Sequence, residues 1–174
     1  MTRYAGRRND GRLFVALLLL LGLIGLYTSR QHTTEPRGAL SGRARVLDGD
    51  SIEIAHARIR LAGIDAPEWD QTCLDGKGQP WACGRAAARE LERHIAGGRL
   101  TCRSGGVDKY RRILAICFAP DGSDINAWMV RQGWAVAFGD VGDYRSEEHE
   151  AEAARRGMWA GSFLLPAQWR RHHP

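Results

Sequence analysis

Apolar and polar positions begin to alternate at residue 43. RARVL (43–47), SIEIA (51–55) and ARIRLAG (57–63) each place apolar side chains at every second position, the period of a half-buried strand. Between the first two lies VLDGDSIEI (46–54), whose Asp-Gly pair between alternating apolar residues marks a hairpin turn. An irregular stretch from Ile64 to about Cys83 follows. The period then changes: in GRAAARELERHIAG (84–97), Ala87, Ala88, Leu91 and Ile95 share one helical face, with Gly97 and Gly98 as the stop. Two more strands flank a loop at 104–111. SDINAWMVRQGW predicts a short helix capped by Ser123 or Asp124, with Ile125, Trp128 and Met129 inward. SEEHEAEAARRGMW predicts a last helix with acids in its first turn, Arg155 and Arg156 in its last, and Gly157 as the stop. Five short strands mixed with three helices give an α+β domain with a small β-barrel, of which the five-stranded OB-fold is one form.

The N-terminus has a different pattern. Arg3, Arg7, Arg8 and Arg12 precede an uninterrupted apolar run from Leu13 to Thr28. Sixteen helical residues span about 24 Å, between a signal-peptide core and a full crossing of roughly 30 Å. No small-x-small cleavage pattern follows Tyr27, so the run reads as an uncleaved transmembrane signal anchor. The upstream arginines place residues 1–12 in the cytoplasm and the domain outside it, periplasmic or extracytoplasmic, and secreted if the anchor is cut. Residues 29–41 read as a linker, 42–165 as the domain and 166–174 as a C-terminal tail.

Export makes the cysteines informative. If the strands around 104–111 form a hairpin, Cys102 and Cys117 face each other across it, which leaves Cys73 to pair with Cys83 around a Gly/Pro-containing loop. No pair has the close spacing of common zinc motifs. Charge changes the picture less than its total suggests. The chain is formally +5, but residues 1–40 carry +4 of it and the remainder only +1. Any attraction to an anionic polymer must come from local placement of arginine.

Three polar groups interrupt the strands: Asp48 and Asp50 in DGDS; Arg60, Asp65 and Glu68 in RIRLAGIDAPEWD; and Asp108, Lys109, Tyr110, Arg111 and Arg112 in DKYRR. Carboxylates without histidine or cysteine favour a hard, oxygen-seeking cation such as Ca²⁺ or Mg²⁺. Arginine forks suit phosphate. Singly, each residue has a plainer role: Asp48 in the turn, Asp65 and Glu68 as loop acids, Arg60 facing solvent, Arg112 paired with Asp108. No simple periodicity demands all three groups together.

VLDGDSIEI, IRLAGIDAPE, DKYRRILA, MVRQGWA and RRGMW, in this order, resemble the staphylococcal nuclease-like (thermonuclease) family over about residues 43–160. The resemblance implies an OB-fold barrel with three helices and Ca²⁺-dependent hydrolysis of DNA and RNA that leaves 3′-phosphate ends. It implies that Asp50 and Asp65 are calcium ligands together with the backbone carbonyl of Ala66. Glu68 corresponds to the general base or water-positioning group, and Arg60 and Arg112 to the phosphate-contacting arginines. Lys109 and Tyr110 lie along the nucleotide, with Phe138 and Tyr144 as candidate aromatics beside it. Arg111 stands where the family has glycine. It bears a cost if positive φ is required there, and it either adds a phosphate contact or disturbs Arg112. No protein partner is expected, and the chain is expected to be a monomer. The reading from another class is a non-catalytic OB-barrel that binds nucleic acid or protein.

Overall fold

The computed structural model describes residues 38–173. In chain order the elements are β1 (Ala39–Asp48), β2 (Ser51–Ile54), β3 (Ala57–Leu61), β4 (Ile64–Asp65), β5 (Cys73–Leu74), β6 (Pro80–Trp81), α1 (Cys83–Ile95), β7 (Arg99–Val107), β8 (Ile113–Phe118), α2 (Ile125–Arg131), β9 (Val136–Ala137), α3 (Arg145–Ala153), a 3₁₀ turn (Gly157–Ala160) and α4 (Pro166–His172). Five strands close a barrel in the order β1-β2-β3-β8-β7. All neighbours are antiparallel except β3 and β8. The alternation in the sequence becomes the barrel interior: Ile52, Ile54, Ile59 and Leu61 are buried, with Leu100 from β7 and Ala115 from β8. Ala87, Leu91 and Ile95 of α1 and Ile125, Met129 and Val130 of α2 join the same core.

A buried amide ties α2 to the barrel. Asn126 donates from Nδ2 to the carbonyls of Ala62 (2.8 Å) and Ala115 (3.1 Å), and its Oδ1 accepts from Cys117 N–H (3.2 Å). These bonds fix the parallel β3–β8 edge, where no hairpin joins the strands. Asp124 is the cap of α2, accepting from Ala127 N–H at 3.0 Å. Trp128 is only partly buried and stacks on His94 of α1 with ring centroids 3.7 Å apart.

The 64–83 stretch is irregular but held at several points. β4 pairs with β9, and β5 with β6. Cys73 is bonded to Cys83, and Cys102 to its ladder partner Cys117. Gly84, at the start of α1, lies so close to this loop that a Cβ would stand 1.7 Å from the Glu68 carbonyl oxygen.

The sequence expectations need three corrections. β1 begins at Ala39, inside the expected 29–41 linker. The helix expected to run through Arg156, with Gly157 as its stop, ends at Ala153, because Arg155 already takes positive φ. Residues 166–172 of the expected tail form α4, so the described residues hold four α-helices rather than three. Among the described residues no helix is long and apolar enough to cross a membrane. The expected anchor over 13–28 lies outside them.

The 48–51 turn shows why its glycine is there. Gly49 is not among the positive-φ residues. A Cβ on it would lie 2.7 Å from the Ala66 Cβ and 3.1 Å from the Ala87 Cβ. The turn is pressed against both the 64–68 loop and α1, and only a hydrogen fits. Gly49→Ala should therefore lower stability by about 1–3 kcal/mol, read as a shift in the urea midpoint. An unchanged midpoint would show that the turn does not bear on the loop.

Candidate active site

β1 ends in a register shift between Val46 and Asp48, and the turn that follows projects two acids. Asp48 Oδ1 accepts from Asp50 N–H at 3.1 Å, so Asp48 shapes the turn and Asp50 is its second central residue rather than the first of β2. Burial raises the pKa of the Asp48 carboxyl above the ordinary carboxylate value, against the opposing pull of Ser51, Arg60 and Arg112. Asp50 Oδ2 accepts from Ala66 N–H at 2.9 Å, and Asp50 Oδ1 accepts from Ser51 Oγ at 3.2 Å. The first bond crosses from the barrel to the 64–68 loop at the place where Gly49 lets them meet.

Arg60 comes from β3, where it is the register partner of Ser51. Its guanidinium contacts Asp50 through Nη1 and donates from Nη2 to Asp65 Oδ1 at 2.9 Å. Both carboxylates are buried, and Asp65 is only 1% exposed. Burial pulls the Arg60 pKa below its ordinary value, and Asp65 opposes that shift. Glu68 is fixed from behind by the wholly buried Gln71. Gln71 Oε1 accepts from Glu68 N–H (3.2 Å), and its Nε2 donates to the Leu164 carbonyl (2.8 Å).

The third group folds around Asp108. Its Oδ1 accepts from the N–H groups of Tyr110 and Arg112, both at 2.9 Å, and its Oδ2 accepts from Arg112 Nε at 2.7 Å. Desolvation disfavours the Asp108 anion, but these bonds outweigh it and hold its pKa below the ordinary value. Arg112 Nη1 also reaches Ser51 Oγ at 3.5 Å, so the third group touches the first. Arg111 has φ of 66°, a left-handed conformation that costs a non-glycine residue about 1 kcal/mol.

These groups face one open cleft of about 750 Å³. Asp50, Arg60, Ala66, Glu68, Lys109, Tyr110 and Arg112 line it, joined by Arg58, Phe138 and Arg170. Asp65 lies beneath the surface, and Arg111 is not on the lining. Tyr110 and Phe138 are 67% and 55% exposed. Lys109 Nζ sits 4.9 Å from the Tyr110 ring centroid, and the Arg112 guanidinium carbon 5.5 Å from it. Tyr144 departs from the expectation: it is buried and donates to Asp124 Oδ2 at 3.0 Å, so its ring is unavailable to a nucleotide. Burial and the neighbouring Asp124 raise its phenol pKa far above the ordinary value.

Arg170 was not foreseen. From α4, its Nη1 and Nη2 chelate Asp65 Oδ1 (3.1 Å) and Oδ2 (3.0 Å), and Nη1 also donates to Glu68 Oε1 at 2.6 Å. Hydrogen bonding to Asp65 raises its guanidinium pKa above the ordinary value, with Glu68 adding to the effect.

The donor set suits a hard divalent cation. Asp50 and Asp65 converge on one guanidinium, so the two carboxylates already share a single positive charge. No three His, Cys, Asp or Glu side chains form a metal set among the described residues. A cation here would therefore complete its shell with backbone oxygen and water, which Ca²⁺ accepts readily. Ala66 lines the cleft beside Asp50.

The family description "Staphylococcal nuclease homologue" matches residues 58–161. The chain belongs to the staphylococcal nuclease family. As a member of that family it is a hydrolase of the nuclease class. It is 35% identical to the succinoglycan biosynthesis protein ExoI of Rhizobium meliloti, over 88% of this chain and 83% of the relative. It is 35% identical to an uncharacterized endonuclease of Escherichia coli, over 74% of this chain and 82% of the relative. To a micrococcal nuclease of Shigella flexneri the identity is 33%, over 73% and 78%. Within this nuclease-family site the buried electrostatics are tightly coupled. Arg60→Ala should cost about 3 kcal/mol, since it strips a shared countercharge from two buried carboxylates. Chemical denaturation measures this, and a loss below about 0.5 kcal/mol, ordinary for a surface change, would contradict it.

Proposed function

We propose that this chain is a Ca²⁺-dependent, sugar-nonspecific endonuclease that hydrolyses DNA and RNA to 3′-phosphate ends. The observation that carries the reading is the convergence of Asp50 and Asp65 on Arg60 in a cleft that Glu68 and Arg112 also face. Asp50, Asp65 and the Ala66 carbonyl would hold Ca²⁺, which when bound withdraws charge from a phosphate oxygen.

The chain's own groups account for the rest of the reaction. Arg60 and Arg112 orient the phosphodiester and offset the charge that develops on its oxygens. Glu68 takes a proton from water, whose oxygen attacks phosphorus as the bond to the 5′-oxygen breaks. The departing 5′-oxygen takes a proton from solvent, and the phosphate stays on the 3′ side. Asp108 aims Arg112 by holding its Nε. Lys109 and Arg58 add positive charge along the cleft. Such contacts position the backbone without reading sequence. The exposed rings of Tyr110 and Phe138 offer stacking faces that accept any base.

The apolar run at 13–28 with its upstream arginines supports tethering to the inner membrane with the nuclease domain outside the cytoplasm. The two disulfides suit an oxidising compartment.

Glu68→Gln should lower kcat by about 10²- to 10⁴-fold while Ca²⁺ binding persists, as seen in turnover of a defined oligonucleotide beside calorimetry. Wild-type turnover by this variant would remove Glu68 from the reaction. Binding of nucleic acid unaffected by Ca²⁺, with no cleavage by the wild type, would favour the binding-barrel reading.

A further inference from the structure

Arg170 stands on the groups assigned to the cation. Asp65 Oδ1 is shared by Arg60 Nη2 and Arg170 Nη1, and Asp65 Oδ2 is taken by Arg170 Nη2. Both oxygens of a buried carboxylate are thus engaged by guanidinium groups. Glu68 Oε1, on the proton-accepting group, is held by the same Arg170 Nη1.

The position of Arg170 is built into the fold. Ser162 and Leu74 exchange backbone hydrogen bonds at 2.9 and 3.1 Å, which straps the C-terminal segment to the 64–83 loop. Gln71 bonds Glu68 on one side and Leu164 on the other. Buried Pro166 then starts α4, and the Gln168 side chain accepts from Leu165 N–H at 3.2 Å. The strap and the loop that carries Glu68 are therefore one unit, and Arg170 is delivered to the acids by packing. Its side chain remains 43% exposed, so it can leave the acids without unfolding the helix.

We propose that Arg170 is an intrachain competitor of the divalent cation for Asp65, an autoinhibitory latch that opens as the metal binds. The inference rests on the assignment of Asp50 and Asp65 as metal ligands. Two cations cannot use the same carboxylate lone pairs, and each raises the electrostatic cost of placing the other. With Arg60 and Arg170 both in place, Asp50, Asp65 and Glu68 carry a combined charge of about −1; without Arg170 it is about −2. Loading of the cation and release of Arg170 are one linked equilibrium. Release also frees Glu68 Oε1 to receive a proton. A nuclease of this design stays latched where the cation is scarce and opens where it is plentiful.

The test is Ca²⁺ titration calorimetry on full-length protein without nucleic acid, comparing wild type, Arg170→Gln and Arg171→Gln. Arg171 is exposed and next in the chain, and its loss changes the net charge equally. Arg170→Gln should bind Ca²⁺ about fivefold more tightly, the scale of a partly exposed ion pair, while Arg171→Gln stays close to wild type. Arg170→Lys keeps the charge but loses the two-pronged grip, so it should fall between and carries the test if the glutamine variant does not fold. Ca²⁺ binding by wild type with no tightening in the Arg170 variants overturns the latch and leaves the metal assignment standing. Equal tightening by Arg171→Gln overturns it too, since general charge would then suffice. No Ca²⁺ binding by any of these proteins removes the metal assignment and the latch together.

Discussion

The site depends on the contact between the 48–51 turn and Ala66. A barrel hairpin and an irregular loop touch there so closely that Gly49 leaves no room for a methyl group. Across that contact Asp50 accepts the Ala66 N–H, which sets the distance between the acid on the turn and the acid one residue before Ala66. Arg60 bridges the two from the adjoining strand. The barrel supplies rigidity. The 73–83 disulfide, Gln71 and the β4–β9 pair bring the loop to it. Acids on a loop can in this way be placed as firmly as acids on a strand.

The cleft has a layered charge arrangement. Two buried acids lie at its base, with Arg60 between them. Glu68 and Arg112 stand above, each oriented by a partner: buried Gln71 behind Glu68 and Asp108 beside Arg112. The rings of Tyr110 and Phe138 form the exposed rim. Such a gradient from buried charge to open aromatic surface suits a polymer whose backbone must be held tightly and whose bases vary. Arg170 sits at the boundary between the layers and, like the 48–51 turn, lies outside the matched family segment of 58–161.

Much of the fold was legible because a five-stranded barrel writes its period directly into the chain. Ile52, Ile54, Ile59 and Leu61 alternate as its inner wall, and Ala87, Leu91 and Ile95 mark the face of α1. The cross-hairpin pairing of Cys102 with Cys117 followed from the same period. Long-range polar contacts left no such signature. Asn126 and Gln71 are wholly buried amides whose partners lie up to 93 residues away, and no spacing rule connects them. Arg170 had half a signal. Pro166 followed by a basic last turn is a helix pattern, but nothing local told that its guanidinium would meet Asp65. Arg111 shows the converse: its sequence raised the question of positive φ, and its φ of 66° answers it, with the side chain off the cleft lining.

The central claim is that oxygen ligands, Glu68 and two arginines form a cation-dependent phosphodiesterase. Its most direct test is incubation of the wild-type protein with end-labelled DNA and RNA, with Ca²⁺ or with excess chelator, followed by analysis of the product ends. The account predicts cleavage of both polymers only with Ca²⁺, leaving phosphate on the 3′ end. Undiminished cleavage in chelator, or products bearing 5′-phosphate, would contradict it.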